Sequence, residues 1–321
     1  MRLSDGRSGA QILSFGGYQP AKVVTNDDLA ATVETNDAWI RSRTGIVSRR
    51  IAGPDETVAD MAVAAGGKAL AASGLTPEDI DLVIVATCTP EAQIPNTAAP
   101  VARRLGICAP GAYDLNAACA GFCYALANAS DAVRTGSARH VLVIGAEKLS
   151  QWVDWTDRST CIIFADGAGA AVVGPVTEDT APGIGPVVWG SDGDMADKIF
   201  VKDRNSFIFQ EGQAVFRWAT TALHPVAKQA CERAGVDPAD LAAFIPHQAN
   251  LRIVEAIARK LGAPQAKVAD DIVTAGNTSS ASIPLALSRM IERGEIPSGA
   301  PALLIGFGAG ICYAAQVIKV P

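Results

Sequence analysis

Three side chains in this 321-residue chain stand where an α/β protein would place chemistry: Cys119, His247 and Asn277. Tyr113–Ala118 (YDLNAA) reads as a strand running into Cys119, and Cys123–Val133 as the helix that follows Ala120-Gly121-Phe122. A thiol at such a junction meets unpaired amides and the positive end of the helix dipole. Both favour the thiolate and predict a pKa below the value of about 8.5 for free cysteine. The small neighbours Ala117, Ala118, Ala120 and Gly121 would let a substrate approach closely. A buried structural cysteine fits the same segment, so the segment alone leaves both roles open. The other cysteines suit packing better: Cys161 in a strand-like run, Cys231 in a helical one, Cys123 one turn into the Cys119 helix. Cys88, Cys108 and Cys312 have no distinctive context.

The chain has only three histidines. His140 lies in a polar turn and His224 precedes Pro225 in a helical run, and both read as surface residues. His247 ends the strand-like run Leu241–Ile245, in Pro246-His247-Gln248-Ala249-Asn250. Chemistry in α/β folds gathers at strand C-termini, although a structural histidine fits as well. Asn277 follows Ala275-Gly276 and the strand-like Ile272-Val273, and opens the hydroxyl run Thr278-Ser279-Ser280. It reads either as a helix N-cap or as an amide donor aimed into a site. Gly306-Phe307-Gly308-Ala309-Gly310 is a glycine-rich turn that can offer a backbone N–H to an oxyanion. It is no dinucleotide fingerprint, because it does not open a βαβ unit with an acidic residue downstream. No metal-ligand spacing is visible.

These groups need a frame. Thr57–Ser73 carries small apolar residues at helical spacing; after the turn Gly74-Leu75-Thr76-Pro77, Ile80–Ala86 reads as a buried strand. Val141–Ile144, Cys161–Phe164 and Ala170–Val173 are further apolar runs, so helix and strand alternate around a buried sheet. The pattern also repeats. Gly74, Pro77, Asp79, Ile80 and Ile84 recur 161 positions later as Gly235, Pro238, Asp240, Leu241 and Ile245. Val141–Gly145 maps onto Ala302–Gly306 at the same offset, and Ile12 onto Val173. The expectation is two similar α/β halves, residues 1–172 bearing the cysteine and 173–321 bearing the histidine and asparagine. Central helices would pack the sheets together, with a site between the halves.

The bulk composition narrows the function classes. Hydrophobic residues make up 49% and charged residues 19%, a globular balance. A net charge of −6 argues against nucleic-acid binding. No apolar run is long enough to span a bilayer. Met1–Pro20 shows no basic-then-apolar secretion pattern, and the seven cysteines lack paired CxxC spacing, so free thiols in a cytoplasmic protein are expected.

Taken together, these segments resemble β-ketoacyl-acyl-carrier-protein synthase III of the thiolase superfamily. The resemblance spans nearly the whole chain. It rests on Asn36-Asp37-Ala38-Trp39-Ile40 with Arg43-Thr44-Gly45-Ile46, on ACAGF at Ala118–Phe122 and on DGAGAAV at Asp166–Val172. PHQANLRI at Pro246–Ile253 and GNTSSAS at Gly276–Ser282 complete it. Thiolases use a second cysteine and the elongating synthases two histidines, so the Cys-His-Asn set singles out this family. Departures are Ser280 and Ala309, where alanine and glycine are common, and the stretch Asp192–Glu211, which is hard to align.

The resemblance implies a layered αβαβα sandwich of two thiolase-like halves, a homodimer, and a decarboxylating Claisen condensation. An acyl group from acyl-CoA would load onto Cys119. His247 and Asn277 would stabilise the enolate formed from malonyl-acyl carrier protein, and the amides of Cys119 and Gly310 would hold the oxyanion. It further implies coenzyme A contacts from Trp39, Arg43, Thr44, Arg158 and Asn250, and no resident cofactor or metal. The starter pocket would involve Phe307 and Ile94, the latter reaching into the partner. The helix-like run Leu251–Leu261, with Leu251, Val254 and Ala258 inward, would offer Arg252, Arg259 and Lys260, joined by Arg217, to the acidic carrier protein. Polyketide priming with the same chemistry, acyl transfer without decarboxylation, and a non-enzymatic thiolase-fold partner are the competing readings.

Overall fold

The Thr57–Ser73 run folds as expected because both ends are closed. Thr57 and Asp60 form a reciprocal capping box, and Gly74 ends the helix in the left-handed region at φ 74°. In the computed structural model, which describes residues 8–177, 180–203 and 205–321, the first half runs in the following order. It comprises β1 (Ala10–Tyr18), β2 (Lys22–Thr25), α1 (Asn26–Ala30), α2 (Asp37–Thr44), β3 (Ser48–Ile51), α3 (Val58–Ser73), β4 (Leu82–Ala86), α4 (Ala98–Arg104), β5 (Gly111–Leu115), α5 (Gly121–Arg134), β6 (Val141–Lys148) and β7 (Asp166–Pro175). The second comprises β8 (Val188–Ser191), β9 (Ile199–Phe200), β10 (Phe209–Gln210), α6 (Gly212–Ala234), β11 (Ala243–Pro246), α7 (Leu251–Leu261), β12 (Lys267–Val268), α8 (Ile272–Ala275), α9 (Ser282–Glu292), β13 (Pro301–Gly308) and β14 (Cys312–Lys319).

The two halves repeat one topology. The first sheet has strand order β1-β7-β6-β4-β5 and the second β8-β14-β13-β11-β12. In both, the two pairs at the β1 or β8 end are antiparallel and the remaining two pairs are parallel. Leu82 pairs with Val141, and Ala243 with Ala302, so the 161-residue offset is also a register identity. The third echo was a coincidence. Ile12 and Val173 are direct antiparallel neighbours in one sheet, and the counterpart of β1 is β8. β7 carries the chain through residue 172 to Pro175.

Helices α5 and α9 lie between the sheets; α5 contacts strands of both, and α9 contacts β1, β7 and β11. Phe122, Leu126 and Leu287 form the central core there with Val143, Val173, Ile245 and Leu304. α3 covers the outer face of the first sheet, and α6 with α7 that of the second. The result is five layers: helices, sheet, helices, sheet, helices.

Some local expectations fail for identifiable reasons. Cys161–Phe164 is a turn closed by one bridge from Phe164 to Asn277, although Cys161, Ile162 and Phe164 are buried, because the run packs in a satellite core with Leu29 and Ile40 and extends no further ladder. Ile272-Val273 belongs to α8. His140 is 7% exposed, its Nδ1 3.0 Å from the Asp79 carbonyl, and His224 is half-buried within α6. The apolar stripe of α7 is Ile253, Val254, Ile257 and Leu261.

Candidate active site

β5 ends at Leu115, and the chain turns sharply through Ala117 and Ala118, whose φ of 46° lies in the left-handed region. That conformation costs an alanine about 1–2 kcal/mol. It directs the following residue, Cys119, out of a short 3-10 turn just ahead of α5. Phe122, fully buried, anchors the helix behind it. From the other half, β13 approaches so closely that glycine is required. A Cβ on Gly308 would stand 2.6 Å from the Cys119 nitrogen, and one on Gly306 would stand 2.9 Å from the Ala120 Cα.

The surroundings reverse the expected thiol acidity. Burial pushes the Cys119 pKa up to about 12, and only the Ser279 hydroxyl and a backbone amide oppose it. Desolvation of the thiolate outweighs the end of the helix dipole, whose influence is worth at most about 2 kcal/mol in favourable geometry.

His247 continues from β11 and donates its amide to the Ile305 carbonyl at 2.8 Å. The ring is 1% exposed, meets Phe307 edge-on with centroids 5.2 Å apart, and has its pKa lowered by burial to about 3. The imidazole is therefore neutral at physiological pH. Its Nδ1 is 2.7 Å from the Ser282 Oγ, and that oxygen also accepts the Gln248 amide at 3.3 Å. With the Ser282 hydroxyl donating to Nδ1, Nε2 carries the proton and becomes a neutral hydrogen-bond donor.

Asn277 is no N-cap. Gly276, at φ 72°, passes between Ala165 and Arg49 just before it, and a Cβ at 276 would lie within 2.9 Å of both side chains. The backbone of Asn277 is tied to Ile163 and Ala165. Its Oδ1 accepts the Ser279 amide at 2.8 Å, which leaves Nδ2 as the group it can offer.

Cys119, His247 and Asn277 all line one cavity of about 1230 Å³ between the halves. Trp39, Arg43, Thr44 and Asn250 line it too. The guanidinium carbons of Arg158 and Arg43 stand 4.6 and 5.8 Å from the Trp39 ring centroid. Asn250 caps α7 and donates to the Arg43 carbonyl at 3.0 Å, joining the two walls. Arg217 and Arg252 are exposed at the rim, Arg252 lying 5.1 Å over the Phe216 ring. Arg259 and Lys260 point away from the cavity, towards Glu255 and the Thr220 carbonyl. Phe307 lines the cavity, but Ile94 does not; it is 87% exposed. Gly310 also lies off the lining, whereas Gly308 and Ala309 belong to it. Of Ala309 and Gly310, Ala309 is the one on the lining that Cys119 shares.

Sequence reasoning missed several contributors. In the stretch that is hard to align, β9 pairs with β10, and Ile199, Phe200 and Ile208 line one side of the cavity. Ser282 and Ser279 orient His247 and Asn277. Glu147 is wholly buried beneath Cys88 and Ser279; a carboxylate closing the otherwise apolar run VLVIGAEK was its only signal in the sequence. Among the described residues no cluster of His, Cys, Asp or Glu could hold a metal ion, and no helix is long and apolar enough to cross a membrane.

Two repeated α/β halves in five layers define a thiolase-fold condensing enzyme, an acyltransferase. The priming β-ketosynthase of the R1128 polyketide biosynthetic pathway superimposes with a TM-score of 0.96 at 44% identity, covering 100% of this chain and 98% of that one. 3-Oxoacyl-[acyl-carrier-protein] synthase III of Aquifex aeolicus does so with a TM-score of 0.93 at 42% identity, covering 97% and 100%. Residues 113–193 match the family 3-oxoacyl-[acyl-carrier-protein (ACP)] synthase III, and residues 231–320 match its C-terminal region. β-Ketoacyl-[acyl-carrier-protein] synthase III 4 of Streptomyces coelicolor is 58% identical over 313 residues, spanning 98% of this chain and 99% of that protein. The chain belongs to the 3-oxoacyl-acyl-carrier-protein synthase III family.

Proposed function

We propose that this chain carries out the initiating condensation of fatty acid synthesis, with Cys119 as nucleophile and His247 and Asn277 as the pair that stabilises the enolate. One observation carries the assignment of roles: the thiol, a neutral imidazole and an amide with its carbonyl already occupied line a single cavity. An acyl group passes from acyl-CoA to Cys119 with release of coenzyme A, which divides one exchange into two easier ones. Malonyl-acyl carrier protein then enters. The Nε2–H of His247 and the Nδ2–H of Asn277 donate to its thioester carbonyl as carbon dioxide leaves. The enolate carbon attacks the Cys119 thioester, and the amides of Cys119 and Ala309 receive the oxyanion. The product is 3-oxoacyl-acyl carrier protein. Acyl-CoA is a substrate, and the reaction as written uses no resident metal or cofactor.

Coenzyme A fits Trp39 with Arg43, Thr44, Arg158 and Asn250: a flat ring beside two guanidinium groups suits adenine, and the cations suit its phosphates. Arg217 and Arg252 suit the acidic carrier protein at the mouth, with Arg259 and Lys260 as outlying charge. The unpaired β5 edge and the exposed Ile94 and Tyr113 suit a homodimer in which Ile94 enters the partner's starter pocket. A cytoplasmic location fits carrier-protein chemistry. Polyketide priming is the second reading, favoured by the likeness to the R1128 priming enzyme. A panel of acyl-CoAs with malonyl-acyl carrier protein, recording product and carbon dioxide together, tests the function. Acyl transfer without stoichiometric carbon dioxide would overturn it. A marked preference for a starter foreign to fatty acid synthesis would favour the priming role.

A further inference from the structure

The mechanism above leaves one problem unsolved: the Cys119 proton has no evident destination. His247 is buried and uncharged, with Nδ1 held at Ser282. Below the cavity floor, however, the Glu147 carboxylate lies fully buried at the end of β6, and it takes part in none of the ion pairs among the described residues. Oε2 accepts from the Thr89 hydroxyl at 2.6 Å, the Cys88 amide at 3.1 Å and the Thr87 hydroxyl at 3.2 Å. Oε1 faces the Ser280 hydroxyl at 2.9 Å and the Ser279 hydroxyl at 3.0 Å. Ser279 in turn lines the cavity with Cys119, whose thiol pKa it lowers, and its hydroxyl stands 4.0 Å from the Cys88 sulfur.

We propose that Glu147 acts through the Ser279 hydroxyl as the proton acceptor for Cys119 during acylation, and returns that proton when the acyl-enzyme is consumed. As the Cys119 sulfur bonds to the acyl carbon, its proton passes to Ser279 Oγ, and the Ser279 proton passes to Glu147 Oε1. The departing coenzyme A thiolate takes a proton from solvent. In the condensation, the enolate carbon displaces the Cys119 sulfur, which recovers its proton from Glu147 by the reverse relay. One solvent proton is consumed per turnover, as the overall decarboxylating reaction requires.

A proton count supports both charge states of this site. Ser280 has one hydroxyl proton but sits 2.8 Å from the Ala86 carbonyl and 2.9 Å from Glu147 Oε1. With Glu147 protonated on Oε1, the carboxyl donates to Ser280 while Ser280 donates to Ala86. With Glu147 ionised, the Ser279 hydroxyl donates to Oε1 instead. Neither state strands a buried polar group, a cost of about 1–3 kcal/mol otherwise. Titratable neighbours are sparse. The Cys88 thiol, just after β4, lies 3.4 Å from both carboxylate oxygens, Cys119 precedes α5, and Ser279 and Ser280 face the carboxylate with hydroxyls. Lys148, next on β6, turns its ammonium to the carbonyls of Gly53, Pro54 and Glu56. Asp166, opposite on β7, is bonded to Ser150 and Ala52. Burial raises the Glu147 carboxyl above the usual range, making it a better acceptor than an exposed carboxylate.

The inference rests on Cys119 being the nucleophile, so the test reads that first. Rapid-quench acylation of the whole protein by acetyl-CoA and isobutyryl-CoA is followed by mass spectrometry of the Cys119 peptide between pH 6 and 9.5. No adduct on wild-type Cys119 would defeat the assignment of the nucleophile, and the relay with it. Given the adduct, Glu147→Gln and Ser279→Ala should each acylate at least about thirtyfold more slowly at pH 7. Their rates should climb tenfold per pH unit, as expected when hydroxide replaces the internal acceptor, while the wild type stays nearly flat. Ser279→Ala keeps the backbone amide that holds Asn277, so its loss of acylation should exceed its loss of malonyl-acyl carrier protein decarboxylation by at least about tenfold. If Glu147→Gln fails to fold, the rate and pH profile of Ser279→Ala decide. Acylation with wild-type rate and pH profile in Ser279→Ala, or equal loss of both half-reactions, would overturn the relay.

Discussion

Replacing Gly308 with alanine tests how closely β13 must approach the nucleophile. Its φ is −170°, extended backbone that any residue adopts, so the effect is steric. The added methyl would sit 2.6 Å from the Cys119 nitrogen, 2.8 Å from its Cβ and 3.1 Å from its Cα, where ordinary contact begins at 3.4 Å. The strand end and the Cys119 turn must therefore separate by about 0.8 Å. Neither side yields easily, since β13 is paired on both flanks and Cys119 is followed by the fully buried Phe122. Overpacking of this kind costs about 1–3 kcal/mol of stability. The larger effect should be on chemistry: a misplacement of about 1 Å can cost on the order of a hundredfold in rate, and here it strikes both the sulfur and the Cys119 amide. Single-turnover acylation, followed as mass gained at Cys119, should fall about a hundredfold in Gly308→Ala, and the denaturant midpoint should drop modestly. Gly53→Ala is the control, because its methyl would meet only the Glu56 Cβ at 3.9 Å. Acylation within threefold of wild type together with an unchanged midpoint in Gly308→Ala would refute the reasoning.

Cys119→Ala should form no acyl-enzyme while still decarboxylating malonyl-acyl carrier protein slowly; an adduct persisting in intact-mass measurements would remove Cys119 from its role. His247→Ala and Asn277→Ala should retain part of the acylation and lose decarboxylation by about a hundredfold or more, as for loss of an electrophilic donor; normal carbon dioxide release from both would contradict the assignment. Arg252→Glu, at the cavity rim, should raise KM for malonyl-acyl carrier protein and leave acylation by acyl-CoA nearly unchanged; equal effects on both steps would argue against the dock. Wild type should use isobutyryl-CoA at least as well as acetyl-CoA, and Ile94→Phe should lose isobutyryl activity preferentially. A methylene in an apolar pocket is worth about 1–3 kcal/mol, so the ratio of the two starters is the measurement, and an unmoved ratio would show that Ile94 is not the gate.

The sequence alone determined what depends on local pattern. Buried strands announce themselves as apolar runs, and the 161-residue echo of GxxPxD turns and strands disclosed a duplicated α/β architecture that the registers of β4–β6 and β11–β13 repeat. Cys119, His247 and Asn277 were legible as candidates because each stands at a strand or loop end next to small residues, where a fold leaves backbone and side chain free to meet a ligand. Tertiary structure decided the rest. Whether Cys161–Phe164 is a strand depends on how much neighbouring backbone is available to pair with, and only Asn277 is, through a single bridge to Phe164. The thiol's acidity depends on how much water the two halves exclude, so a turn that looked activating locally gave a pKa near 12. The hydrogen-bonded floor joins Glu147 to Thr87, Thr89, Ser279 and Ser280, residues up to 193 positions apart within Thr87–Ser280 whose hydroxyls look unremarkable along the chain. Only folding makes them neighbours. Local sequence sets dihedral preferences and the period of burial, whereas desolvation and hydrogen-bond partnership belong to the packed interior as a whole.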